Sequence, residues 1–151
     1  VVGQGGTILN FKGGLSTPYG GACAKPVPIY CQATLTGTNH GSAAAFGSYP
    51  SCDGARADTG SEVYYKLTSP ISGNITVELN PQEEDLDLIV VGADDNDGCD
   101  IGECKGFSQE TSTDGELVTF EAEAGWSYYL IVDGFSNAES GFTIDVSCSK
   151  N

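Results

Sequence analysis

Methionine is absent, histidine and tryptophan occur once each, and only six of 151 residues are Lys or Arg, against 21 Asp or Glu. A formal net charge of −15 leaves no basic footprint, which excludes nucleic acid and anionic membrane surfaces as partners. No apolar run approaches the roughly 20 residues a spanning helix needs, so no membrane span is expected. The first residue is Val and no positively charged start precedes an apolar stretch, so any secretion signal is expected to have been removed already. Catalytic machinery is also missing. The single histidine, His40, sits in the turn-like TNHGS, where it reads as a solvated loop residue, and there is no G-x-S-x-G nucleophile elbow. The chain is therefore expected not to be an enzyme.

A local absence is as informative. Residues 1–52 contain no Asp or Glu and carry Lys12 and Lys25, whereas residues 53–151 hold all 21 acids against Arg56, Lys66, Lys105 and Lys150. The first third is thus +2 and the rest −17, an electrostatically two-ended chain. Burial of the acid-free start in its own domain is the plain explanation. Contact with an acidic neighbouring subunit is the sharper one.

What is present is glycine, 21 residues of it, and short runs of Val, Ile, Thr, Tyr and Phe broken by Gly, Asn, Asp and Ser. That composition favours strands over helices, and no helix of ordinary length is legible. Period-two alternation locates the strands. Val63, Tyr65 and Leu67 share one face of VYYKLT, and Ile75, Val77 and Leu79 one face of NITVEL. In LDLIVV, Leu86, Leu88 and Val90 lie opposite Asp87, Ile89 and Val91. LVTFE, WSYYLIVD and FTIDVSC continue the pattern, the second aligning Trp126, Tyr128, Leu130 and Val132. A short strand, ATLTG, follows the stiff connector KPVP, and residues 41–61 read as one long irregular loop. Strands every 10–15 residues or so, separated by turn signals, predict an all-β antiparallel sandwich. The predicted division is a Gly-rich extension over 1–22 and a sandwich domain over 23–151.

Six cysteines in a small acidic chain without paired C-x-x-C spacing point to disulfides and an oxidising compartment, hence a secreted or cell-surface protein. Cys99 and Cys104 are close enough in sequence to close a small loop. The other four allow three pairings. If the first and last strands run side by side, Cys31 meets Cys148 and leaves Cys23 with Cys52.

From Cys31 to Cys148 the order of motifs resembles the bacterial pre-peptidase C-terminal domain family. The resemblance rests on TLTGT before a cysteine-containing loop, EVYYKLTSPISGNITVEL, DLDLIVV with an acidic cysteine loop, and ELVTFEAEAGWSYYLIVDGFSNAESGFTIDVS. It implies a jelly-roll-like β-sandwich of the kind that accompanies secreted hydrolases. Related modules bind collagen or polysaccharide, some with structural calcium. Within these 151 residues no catalytic domain is expected.

EEDLDLIVVGADDNDGCDIGEC, residues 83–104, carries nine carboxylates. A catalytic pair needs two acids in contrasting environments across a cleft, and Glu83, Glu84, Asp85 and Asp87 sit instead at a strand entry. Asp94, Asp95, Asp97 and Asp100, with Asn96 and Glu103 nearby, offer the oxygen ligands calcium wants, although no EF-hand register fits. The competing reading is a solvated acidic turn closed by Cys99–Cys104. No cofactor is required, and calcium is the one ion considered. Tyr64, Tyr65, Trp126, Tyr128 and Tyr129 could stack sugars, but alternation assigns one set to the core. Asn74 heads the sequon Asn-Ile-Thr, an acceptor for N-linked glycan on the polar face of a strand.

VVGQGGTILNFKGGLSTPYGG has seven glycines, no acid, and one modest alternation, with Leu9 and Phe11 on one side and Asn10 and Lys12 on the other. Ordering glycine costs the most backbone entropy of any residue, so such a segment needs a docking site to become a strand. Val1, Val2, Ile8, Leu9 and Phe11 supply apolar surface, Lys12 a charge suited to an acidic partner, and the glycines close backbone approach. The expectation is a non-enzymatic fibre subunit that self-associates head to tail by strand donation. The alternative is an accessory module for an insoluble glycan or matrix protein.

Overall fold

The period-two runs become strands in the computed structural model, which describes residues 20–46, 49–52 and 59–151. They are β1 (Val27–Pro28), β2 (Thr34–Thr38), β3 (Glu62–Thr68), β4 (Gly73–Pro81), β5 (Leu86–Ala93), β6 (Cys99–Ser108), β7 (Glu116–Ala122), β8 (Ser127–Gly134) and β9 (Gly141–Lys150). Two sheets form, ordered β1-β3-β8-β5-β6 and β2-β9-β4-β7. Every pairing is antiparallel except β1 with β3. The expected all-β sandwich is what forms. The segment expected to supply a donated strand, with Val1, Val2, Ile8, Leu9, Phe11 and Lys12, lies outside the described residues.

The predicted faces meet between the sheets. Val63, Tyr65 and Leu67, Leu86, Leu88 and Val90, and Tyr128, Leu130 and Val132 pack against Ile75, Val77, Leu79, Phe120, Phe142, Ile144 and Val146. Burying each large aliphatic or aromatic side chain of this kind is worth about 1.5–3 kcal/mol. Trp126 does not join them: it precedes β8 and is exposed.

The opposite face of the five-stranded sheet is buried as well. Tyr64, Ile89, Val91, Tyr129 and Ile131 form a second apolar cluster with Tyr49, and Phe46, Cys23 and Cys52 pack against it from the loops that cover it. This explains why β3, β5 and β8 are almost continuously buried, whereas β4 and β7 alternate.

β6 is a ten-residue strand where an acidic turn was expected. Its sequence, CDIGECKGFS, lacks apolar alternation because it is an edge strand, mostly part-exposed. Its register against β5 shifts between Val90 and Val91, leaving out Lys105, and again between Val91 and Gly92, where Ile101, Gly102 and Glu103 bulge out of the ladder.

The disulfides are Cys23–Cys99, Cys31–Cys148 and Cys52–Cys104. Cys31–Cys148 joins the chain just before β2 to the end of β9, as strand adjacency required. The expected Cys99–Cys104 and Cys23–Cys52 bonds do not form. Cys99 and Cys104 lie on one strand opposite Ala93 and Val91, so their side chains stand side by side rather than pointing at each other. Each instead reaches a covering loop, and the two bonds staple both loops over the second cluster.

Candidate functional site

The acids singled out in the β5–β6 turn serve mainly to shape it. Asp94 Oδ1 accepts from the backbone N–H of Asn96 and of Gly98, both at 2.8 Å, and Asp100 Oδ1 accepts from Gly102 N–H at 2.9 Å. Asp97 has a left-handed backbone (φ 62°), forms an ion pair with Lys66, and accepts from the Tyr129 hydroxyl through its carbonyl. Asp95 is exposed. The turn walls a cleft of about 540 Å³ whose other sides include Phe46, Lys66 and Tyr129. Burial, with Asp97 and Asp94 nearby, raises the Tyr129 hydroxyl above its ordinary pKa, so it remains a donor.

A tighter carboxylate group lies elsewhere. Asp85, Asp87 and Glu116 bring carboxylate oxygens within 4.8 Å of one another, Asp87 and Glu116 being fully buried. Among the described residues this is the one set of acids close enough to share a single cation. Hard divalent ions bind through such oxygens. Glu116 also accepts from the Ser108 hydroxyl and from Glu110 N–H at 2.9 and 3.0 Å. Burial outweighs these bonds and pushes its carboxyl up to about 7.

Asp87 belongs to a row crossing the five-stranded sheet, because Asp87 pairs with Asp133 and Asp133 with Glu62 in the strand register. All three are fully buried. Glu62 accepts from Ala45 and Phe46 N–H and from the Tyr49 hydroxyl at 2.6 Å, so it holds the covering loop down. Tyr49 also lies 2.7 Å from Asp133 Oδ2. The signal for this row was present in the sequence: Asp87 shares a face with Ile89 and Val91, where a carboxylate needs a reason to be.

The aromatic residues weighed for sugar stacking divide clearly. Tyr64, Tyr65, Tyr128 and Tyr129 are buried, and Trp126 is 59% exposed. Trp126 lines a cleft of about 370 Å³ with Glu103, Lys105, Glu121 and Glu123. Asn74 is exposed on β4, with Glu121 on one side and Ser149 on the other. His40 is also exposed and lies between Glu83 and Glu139 at 3.6 and 3.5 Å.

The outward face of the four-stranded sheet is hydroxylated and acidic. Thr34, Asp145, Glu78 and Leu117 form one row across it, and Ser147, Thr76 and Thr119 the next. None of its outward positions carries a Lys or Arg.

No protein-family model and no curated protein matches the sequence. Solved structures do match. The pre-peptidase C-terminal domain of a collagenase from Bacillus anthracis superposes with a TM-score of 0.56 at 14% identity, covering 87% of this chain and 99% of that one. A periplasmic inhibitor of g-type lysozyme from Aeromonas hydrophila gives 0.49 at 14% identity, covering 82% and 96%. The first likeness shows that the fold is that of a pre-peptidase C-terminal domain. Among the described residues no helix is long and apolar enough to cross a membrane.

Proposed function

We propose that this protein is a non-enzymatic, secreted or cell-surface structural subunit that assembles head to tail through its N-terminal segment. The observation that carries this reading is the charge partition: residues 1–52 hold no acid, whereas residues 53–151 carry −17. Among the described residues, the strands and both apolar clusters lie between Cys23 and Lys150. A segment with alternating Leu9 and Phe11, no acid and Lys12 is suited to an acidic partner, and a body carrying −17 over residues 53–151 is the complementary one. A head-to-tail contact that does not close on itself yields a filament.

Electron microscopy and light scattering of the full chain test this. Filaments or large oligomers are expected. The Leu9→Asp, Phe11→Asp double variant should remain monomeric with an unchanged melting temperature. A full chain that stays monomeric at high concentration sinks the proposal.

The second reading is an accessory binding module for an insoluble glycan or matrix protein, favoured by the exposed Trp126 in its cleft. Calcium dependence belongs to this reading, with the turn acids Asp94, Asp95, Asp97 and Asp100 or the buried Asp85–Asp87–Glu116 group as its seat. Under it, Trp126 fluorescence shifts on adding soluble oligosaccharide or a collagen peptide, and Trp126→Ala abolishes retention on the insoluble polymer. A bound native-state cation would also raise the melting temperature.

A further inference from the structure

We infer that the outer edge of β2 is the acceptor for residues Thr7–Lys12 of a second copy of this chain. The inference rests on the assembly reading above and names the surface it uses.

The sheet edges are managed unequally. On the five-stranded sheet, the outer side of β3 is covered by backbone bonds from three segments: Tyr64 N–H donates to Gly20 O at 2.8 Å, Ile29 N–H to Lys66 O at 3.0 Å, and Glu62 N–H to Ala43 O at 3.0 Å. The far edges, β6 and β7, run against each other at a corner of the sandwich, and β6 is bulged. β2 differs: among the described residues it pairs with β9 alone.

Its bonding phase follows from two contacts. Val146 N–H donates to Ala33 O at 2.9 Å and Asn39 N–H to Ser140 O at 3.3 Å, so Ala33, Leu35, Gly37 and Asn39 face β9. Alternation then turns the N–H and C=O groups of Thr34, Thr36 and Thr38 outward. Nothing within β2 guards this edge, since TLTGT holds no Lys, no Pro and no bulge.

The apolar core is least sealed on the same side. The partly buried residues packed against it are Val27, Ala33, Leu35 and Cys148, from β1, from β2 and the residue before it, and from the end of β9. A strand laid along β2 would cover Leu35 and Ala33 with every second side chain. Thr7–Lys12 has that pattern: paired with β2, it would set Leu9 and Phe11 inward to the seam and Asn10 and Lys12 outward on the acidic face, where Asp145 shares a row with Thr34. Six residues span roughly 20 Å, enough for the five of β2. The described chain begins at Gly20, anchored against Tyr64 on the other sheet.

The test uses the full chain. Thr36→Pro removes an outward N–H and leaves the bonds to β9 in place, so the fold and melting temperature should hold. The concentration needed for assembly should rise roughly tenfold or more. In parallel, isotopically light and heavy full chains are mixed and treated with a zero-length carbodiimide cross-linker. A mixed-isotope peptide joining Lys12 to Asp145 is expected.

If Thr36→Pro assembles like the parent, the edge assignment falls while the assembly reading stands. A cross-link confined to single-isotope peptides means each tail docks on its own chain and overturns the second-copy occupant. Absence of both assembly and cross-link removes both proposals.

Discussion

Glu62 and Asp133 face each other across the β3–β8 pair, both fully buried, and both carboxylates close on one group, the hydroxyl of Tyr49, at 2.6 and 2.7 Å. Tyr49 is itself fully buried, and its hydroxyl is driven far above its ordinary pKa, first by burial and then by these two acids, so it stays a donor at any accessible pH. The loop over the outer cluster is thus tied to the sheet through charge as well as apolar contact.

Tyr49→Phe should therefore cost about 2–3 kcal/mol, because it deletes a hydrogen bond to ionisable groups that stay buried. Urea unfolding reads this directly: the midpoint falls with little change in slope. An unchanged midpoint would mean that the hydroxyl contributes nothing net.

Glu116 makes a pH prediction whose sign is fixed. Burial raises its folded pKa from 4.5 to about 7. The folded state then holds this proton more tightly than the unfolded chain, so its contribution to stability falls as pH rises from about 4.5 to about 7 and levels off above that. Glu116→Gln removes the effect. The stability of the variant relative to the parent should rise by on the order of 1–3 kcal/mol across that window. Parallel stability curves for the two proteins would contradict the raised value.

Cys52–Cys104 and Cys23–Cys99 hold the covering loops, not the two sheets. Replacing Cys52 and Cys104 together by Ser should cost about 2–4 kcal/mol. Hydrogen exchange should quicken first at residues 49–52 and at Ile89, Val91 and Ile131. Protection at Ile75, Val77 and Leu79 should persist to higher denaturant. Uniform loss of protection would show that the two clusters unfold as one.

Gly37 is required by close approach. A Cβ there would lie 2.5 Å from Tyr65 Oη and 2.8 Å from Phe142 Cζ, whose rings meet edge to face. Gly37→Ala should destabilise by about 1–3 kcal/mol through overpacking. Thermal melts of this variant beside Thr36→Ala, one residue away with its side chain outward, separate packing from strand propensity.

The sequence by itself determined the strands that bury one face. Val63-Tyr65-Leu67, Ile75-Val77-Leu79 and Leu86-Leu88-Val90 are assigned to the core by a side-chain period of two, which any pleated strand must obey. It also marked the charge partition, whereas the Cys31–Cys148 bond followed only on the condition, met in the fold, that the first and last strands lie side by side. The acids of the β5–β6 turn were visible as a cluster, but their capture by backbone N–H groups and Lys66 depends on the turn's shape.

Tertiary structure alone decided the rest. β6 has no apolar alternation, and it is a strand because β5 presents backbone groups to it. Cys99 and Cys104 look like partners at a separation of five, yet parallel side chains on one strand turn each toward a different loop. The second cluster needs residues 20–26, 43–46 and 49–52 folded over a sheet face, and the approach of Asp85 and Asp87 to Glu116 spans both sheets. Sequence spacing encodes contacts made along one element. It is blind to contacts whose separation is set by how elements stack, and the Asp85–Asp87–Glu116 group and the Glu62–Asp133–Asp87 row are of that second kind.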